Sequence, residues 1–296
     1  PRPHTTPSVE QFVSAILCYS DRSRFGKLTP QFADMRTRAS PKLTHTILRF
    51  PMPVRSIVAL LLAAVCCAVT ALGTAPAKID DVATVEDIVG EIDDKVKVLT
   101  RFLETPEKYE AAKEKDVRQG FGVISVMGQS LVEHSQNAQA GFNGAAIRDA
   151  ALKFQRDATY DEAQAALTAV TAARNGEGAG DADVQWSKLI RMHPMMEEIN
   201  ARNAALVSIM KRPRGRAKES RNATTIALLA LAMEADTHEV KNEADIPEYQ
   251  KLAAGYRSDM VSVAAAIKEK DGKTAREYFD AANEKCDACH EKWRDA

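Results

Sequence analysis

Beyond residue 78, apolar residues recur every three or four positions along most of this chain. Ile88, Val89, Ile92, Val96, Leu99, Phe102 and Leu103 form the first such run, the spacing of one buried helical face. Further runs predict helices over 107–135 (Phe121, Val123, Ile124, Val126, Met127, Leu131), 145–158 and 161–173. Three glycines within residues 175–181 then break the pattern. It restarts over 184–210, with Met195, Met196, Ile199, Leu206, Ile209 and Met210 on the apolar side, and continues over 217–239, 248–268 and 274–294. Pro106, Pro213 and the Asp271-Gly272 pair mark the joints between helices.

Four helices, a glycine link and four helices again predict an all-α chain built on an internal repeat. Val89-Gly-Glu-Ile-Asp93 lies over Met196-Glu-Glu-Ile-Asn200, and Leu99, Phe102 and Leu103 over Leu206, Ile209 and Met210. Near the end of each unit, Glu162-Ala163 lies over Thr274-Ala275 and Leu167 over Phe279. Carried onward, Arg174 stands where Cys286 is, and the glycine link takes the place of Cys289 and His290.

The N-terminal part reads differently. Residues 1–51 mix Pro, Thr, Arg and Ser without period, and no fold is expected of them. Arg55, an apolar run over 57–72 and Ala75-Pro76-Ala77 have the order of a secretory signal peptide starting at Met52. Residues 1–51 are then an over-extended gene start, and the mature chain begins near Lys78. The other reading is a membrane anchor, but a span needs about twenty apolar residues.

Charge sharpens the division. The whole chain is formally -1, with nine Lys/Arg against three Asp/Glu in residues 1–77 and an acidic remainder. An acidic body argues against nucleic acid as a partner. Only Cys286 and Cys289 follow the signal segment, so no structural disulfide is expected in the folded part.

Those two cysteines lie in Cys286-Asp-Ala-Cys-His290, the attachment signature of a c-type haem. Thiols three residues apart on one helical face can add to two vinyl groups, and the next imidazole then ligates the iron. A zinc site would need two more ligands, and no second Cys/His cluster is present. A thioredoxin-type pair would need a βαβ context, which this helical pattern lacks.

Residues 183–296 resemble the class II cytochromes c, the cytochrome c′ family, and the related four-helix-bundle b-type cytochromes. Cys286-Asp-Ala-Cys-His-Glu-Lys-Trp-Arg294 on the final helix carries the resemblance, with Ala264-Ala-Ala-Ile-Lys-Glu-Lys-Asp271 before it. It implies an up-down-up-down four-helix bundle over 183–296 with one covalent haem c; with the repeat, the expectation is tandem bundles, 78–174 without haem, joined by 175–182. Cys286 and Cys289 are the expected thioether residues and His290 the proximal ligand. Met196, in a Met-Glu-x-x-Asn segment shared in shape with the b-type bundles, is the first candidate for sixth ligand and Met195 the second. An open sixth position is the third reading, and a methionine stripe that only fills core is the plain one. His193 is expected at the surface, with iron ligation as its lesser reading, Arg191 near a haem propionate or in water, and His134 and His238 as imidazolium groups at helix ends. The expected function is single-electron transfer by an exported, periplasmic carrier, not an enzyme, with redox proteins as partners and homodimer formation through bundle helices. The alternative is a five-coordinate module that binds nitric oxide or carbon monoxide.

Overall fold

The computed structural model describes residues 75–180 and 184–294. Residues 1–51 and most of the signal segment lie outside the described residues. Among those described the chain is all-α, with no strand.

A 3-10 turn at Ile79–Asp81 leads into α1 (Val85–Phe102), where the Thr84 side chain accepts the Asp87 amide. Thr105 caps α2 (Pro106–Ala112) in the same way. A π-helical turn at Lys113–Val117 separates α2 from α3 (Arg118–Glu133), so the helix expected over 107–135 carries a one-turn bulge. Helix α4 (Gly144–Leu152) ends before the expected 158. The chain there doubles back so that Phe154 stacks on Phe121, with ring centroids 4.7 Å apart and 12° between planes. Thr159 and Glu162 then form a capping box that opens α5 (Tyr160–Arg174).

The second series starts with a 3-10 turn at Trp186–Lys188 followed by α6 (Met192–Met210), not with one helix from 184. Pro194 sits in the first turn of α6, where its missing N–H leaves no hydrogen bond unmade. Helices α7 (Ala217–Ala235), α8 (Ile246–Lys268) and α9 (Gly272–Trp293) complete it.

Packing follows the same order in both series. Helix α1 packs on α3, α3 on α4, α4 on α5 and α5 on α1; α6 packs on α7, α7 on α8, α8 on α9 and α9 on α6. Helices α3 and α4 approach closely at two glycines. A Cβ on Gly128 would lie 2.7 Å from the Arg148 amide nitrogen, and one on Gly144 2.7 Å from the Gly128 carbonyl. Gly128→Ala is therefore expected to cost about 1–3 kcal/mol by overpacking. A lowered urea midpoint with unchanged slope checks this; an unchanged midpoint would show that the two backbones can part.

Elements begin in step along the chain. The 3-10 turns start at 79 and 186 and helices α1 and α6 at 85 and 192, both 107 positions apart. The N-caps of α5 and α9, Thr159 and Asp271, are 112 apart. Burial keeps the same offsets. Ile88 and Met195, Ile92 and Ile199, Leu99 and Leu206, and Leu103 and Met210 are all buried, as are Ala163 with Ala275 and Val170 with Ala282.

The two series share one continuous core. Helix α1 packs on α7, and α3 on both α6 and α7. Charged side chains line this seam. The Arg202 guanidinium donates to Glu91 across it and to Glu198 on its own helix, the latter at 2.7 Å, while Lys95 donates to Glu198 at 2.6 Å. Arg221 bonds Asp94 at 3.0 Å, Lys268 bonds Asp87 at 2.9 Å and the Gln119 carboxamide donates to Glu197 at 3.1 Å.

Candidate functional site

Helix α9 carries the Cys-x-x-Cys-His segment in its last two turns. Asp271 starts the helix by accepting the Thr274 amide at 3.0 Å, and Ala275, Phe279 and Ala282 bury its inner face. Cys286 and Cys289 continue that face, one turn apart; both are half-buried against the core and both are thiols. His290 follows one residue later and is exposed.

Helix α6 supplies the facing wall. Its C-terminal end meets the start of α9, since a Cβ on Gly272 would strike the Met210 carbonyl, so the two helices run antiparallel. Fourteen residues separate Met210 from Met196 and Gly272 from Cys286, about 21 Å along each axis at 1.5 Å per residue. That rise sets Met196 and Cys286 at similar distances from the joined ends, while the Tyr256 hydroxyl beside Cys286 reaches Asn203, seven residues past Met196 on α6. Met195, one residue away, is fully buried, while Met196 is half-buried.

Polar groups absent from the sequence-based candidates also gather here. The hydroxyl of Tyr256 (α8) and the Asn203 side-chain oxygen (α6) are both buried and lie beside one another, next to the Cys286 thiol. Burial holds the Tyr256 hydroxyl well above its ordinary pKa, with the Cys286 thiol beside it adding to the shift. On the other side of the motif Trp293 packs edge-on against Tyr249, centroids 5.5 Å apart, and the Tyr249 hydroxyl donates to the Met233 carbonyl at 3.0 Å. Tyr249 and Tyr256 are seven residues apart on α8, so period alone shows them sharing a face but not that the face meets the cysteines.

The electrostatics suit an uncharged sulfur pair. Burial pushes the Cys286 thiol up to about 11 despite the Tyr256 hydroxyl next to it, and burial raises the Cys289 thiol as well. Both therefore remain protonated near neutral pH. A redox-exchange pair needs the opposite, a lowered thiol pKa. Among the described residues no three His, Cys, Asp or Glu side chains cluster so as to hold a metal ion.

The other histidines are placed plainly. His193 is exposed, 3.7 Å from Glu197, and Arg191 is the exposed N-cap of α6. His134 ends α3 and is buried there, its Nδ1 accepting the Gln136 amide at 3.0 Å and its Nε2 3.1 Å from the Ala83 carbonyl. His238 lies between Asp236 at 2.6 Å and Glu239 at 2.9 Å, and the hydrogen bond to Asp236 raises its pKa.

The donor set fits a covalently held tetrapyrrole: two neutral thiols on one face and an imidazole next in line. No family model, curated protein or solved structure matches this chain.

Proposed function

We propose that this protein is a mono-haem c-type cytochrome that carries single electrons. The observation that supports it is the pair Cys286 and Cys289 on the core face of the last helix, uncharged, with His290 next in line. Those thiols would hold the ring as thioethers, and His290 would ligate the iron. Met196 on α6 would be the further ligand, with Met195 as second candidate; a soft, neutral thioether favours ferrous iron. Bound there, the haem would supply a one-electron couple between ferric and ferrous iron. The chain's own part would be to fix these ligands and exclude water, a part that the burial of Phe279, Ala282 and Met195 supports.

The architecture that goes with this reading is two tandem four-helix bundles, 78–174 without haem and 183–296 with it. The matched starts of turns and helices and the matched buried positions support it. Export to the periplasm is part of the same proposal, since haem c is attached outside the cytoplasm. Among the described residues no helix is long and apolar enough to cross a membrane.

A second reading, a five-coordinate module for nitric oxide or carbon monoxide, is favoured by the half-buried placement of Met196. The visible spectrum of the exported protein, oxidised and reduced, with and without carbon monoxide, separates the two. A low-spin reduced spectrum indifferent to carbon monoxide supports the carrier, and a high-spin one that shifts supports the gas module. A colourless protein overturns both. Met196→Ala is expected to turn a low-spin spectrum high-spin and to lower the potential; an unchanged spectrum would remove Met196 from the iron.

A further inference from the structure

The contacts across the seam are reciprocal. Glu91 and Lys95 of α1 stand 107 positions before Glu198 and Arg202 of α6, the same offset that aligns the starts of those helices. The ion pairs cross between the equivalents: Arg202 bonds Glu91, and Lys95 bonds Glu198 at 2.6 Å. A second pair of contacts does the same. Aligning α3 and α7 by their last residues, Glu133 and Ala235, makes Gln119 the counterpart of Arg221. Gln119 hydrogen-bonds Glu197 at 3.1 Å, and the counterpart of Glu197, Gly90, lies directly against the Arg221 guanidinium. The helix contacts match as well, α3 lying on α6 and α1 on α7.

An interface in which residue i meets j, and the counterpart of j meets the counterpart of i, is what two copies of one surface make about a twofold axis. Glu198 and Arg202 sit one turn apart on a single face, so that face carries both partners of its own ion pair. We propose that the α6–α7 face is self-complementary and fits a second copy of this chain, and that the first four-helix unit covers it in cis. This rests on the tandem-bundle reading and is independent of whether haem is bound. The tether favours the cis arrangement, because linking two modules gives the covering unit an effective concentration near millimolar. When the cis contact is weakened, the α6–α7 faces of two chains are free to pair, each Arg202 against the other chain's Glu198.

Charge reversal on α1 alone tests this in the full chain. Glu91→Arg with Lys95→Glu sets like charges against Arg202 and Glu198 but leaves α6 unaltered. Light scattering is expected to show twice the mass of the unaltered chain. Adding Glu198→Arg and Arg202→Glu restores opposite charges across the cis seam, and the mass is expected to return to that of the unaltered chain. A folded two-site variant of unchanged mass, or a four-site variant that stays dimeric, would overturn the proposal. If circular dichroism shows the two-site variant unfolded, the unaltered chain cut at a protease site inserted at exposed Gly178 decides. As salt is raised, the C-terminal fragment should leave the 1:1 complex as a homodimer; its release only as a monomer, or no release at any salt, sinks the idea. Absorbance of the same samples reports haem separately, so failure here and failure of the cytochrome reading are told apart.

Discussion

With serine at both Cys286 and Cys289, the exported protein is expected to emerge without covalently bound haem and without visible absorption. Serine hydroxyls cannot form the two thioethers, and they replace two sulfurs that are only half-buried. The fold should therefore persist, with helical circular dichroism like that of the unaltered chain handled in the same way. Intact mass is the deciding measurement: the unaltered chain should carry the added porphyrin and the double variant should not. His290→Ala separates the roles further. Thioether attachment should survive in part, while the loss of the imidazole should change the spectrum of whatever haem remains. An unaltered protein of bare polypeptide mass would end the cytochrome reading, whatever the variants do.

Arg202→Ala is expected to be the most destabilising single change in the seam, by about 3–5 kcal/mol, the usual cost of removing one partner of a buried ion pair. Arg202 is 9% exposed, and it stands between Glu91 at 3% and Glu198 at 4%. Without it Glu198 keeps Lys95 but Glu91 loses the guanidinium it bonds, and a carboxylate left unpaired in the interior is costly. The effect depends on pH, and its sign follows from Glu198. Burial alone would raise the Glu198 carboxyl, but Arg202 and Lys95 outweigh it and hold the group below the ordinary carboxylate range. A lowered folded pKa adds stability above the unfolded value, about 4.3 for glutamate, and that stability is lost as the pH falls through the folded value. In the unaltered chain the seam should thus hold at neutral pH and weaken only below about pH 4. In Arg202→Ala burial prevails, so the loss should begin at higher pH. Urea midpoints measured from pH 3 to 7 test both statements; parallel curves for the two proteins would show that Arg202 does not set the Glu198 charge.

Helix existence was legible because it is a local property. The three-to-four-residue recurrence of Ile88, Ile92 and Leu99, or of Met195, Ile199 and Leu206, needs only neighbours along the chain to be read. Caps such as Thr84 and Asp271 likewise act within three residues. Helix boundaries were less legible where a distant contact decided them. The early end of α4 goes with the stacking of Phe154 on Phe121, thirty-three positions away, which no periodicity contains. The late start of α6 had a local sign, Pro194, but its apolar neighbours Leu189 and Ile190 extend the pattern backward into what is a 3-10 turn and its exit.

For the candidate site, the residue types and their order were available from the chain alone, since Cys-x-x-Cys-His is a statement about spacing. Asn203, Tyr249 and Tyr256 were not, because a polar residue on a helix shows its face but not what stands opposite. The same holds for the seam. Glu91 over Glu198 and Lys95 over Arg202 were already aligned by the repeat, yet each could equally have paired along its own helix, as Arg202 also does. Sequence by itself determined the helices and the thiol–thiol–imidazole order, both of which follow from relations within a few residues. Tertiary structure alone decided that the two halves share a core, that Met195 is buried deeper than Met196, and that charges pair crosswise between α1 and α6. Those outcomes depend on which helix faces press together, and side-chain partners across such a contact are chosen by the geometry of approach, which no spacing along one chain encodes.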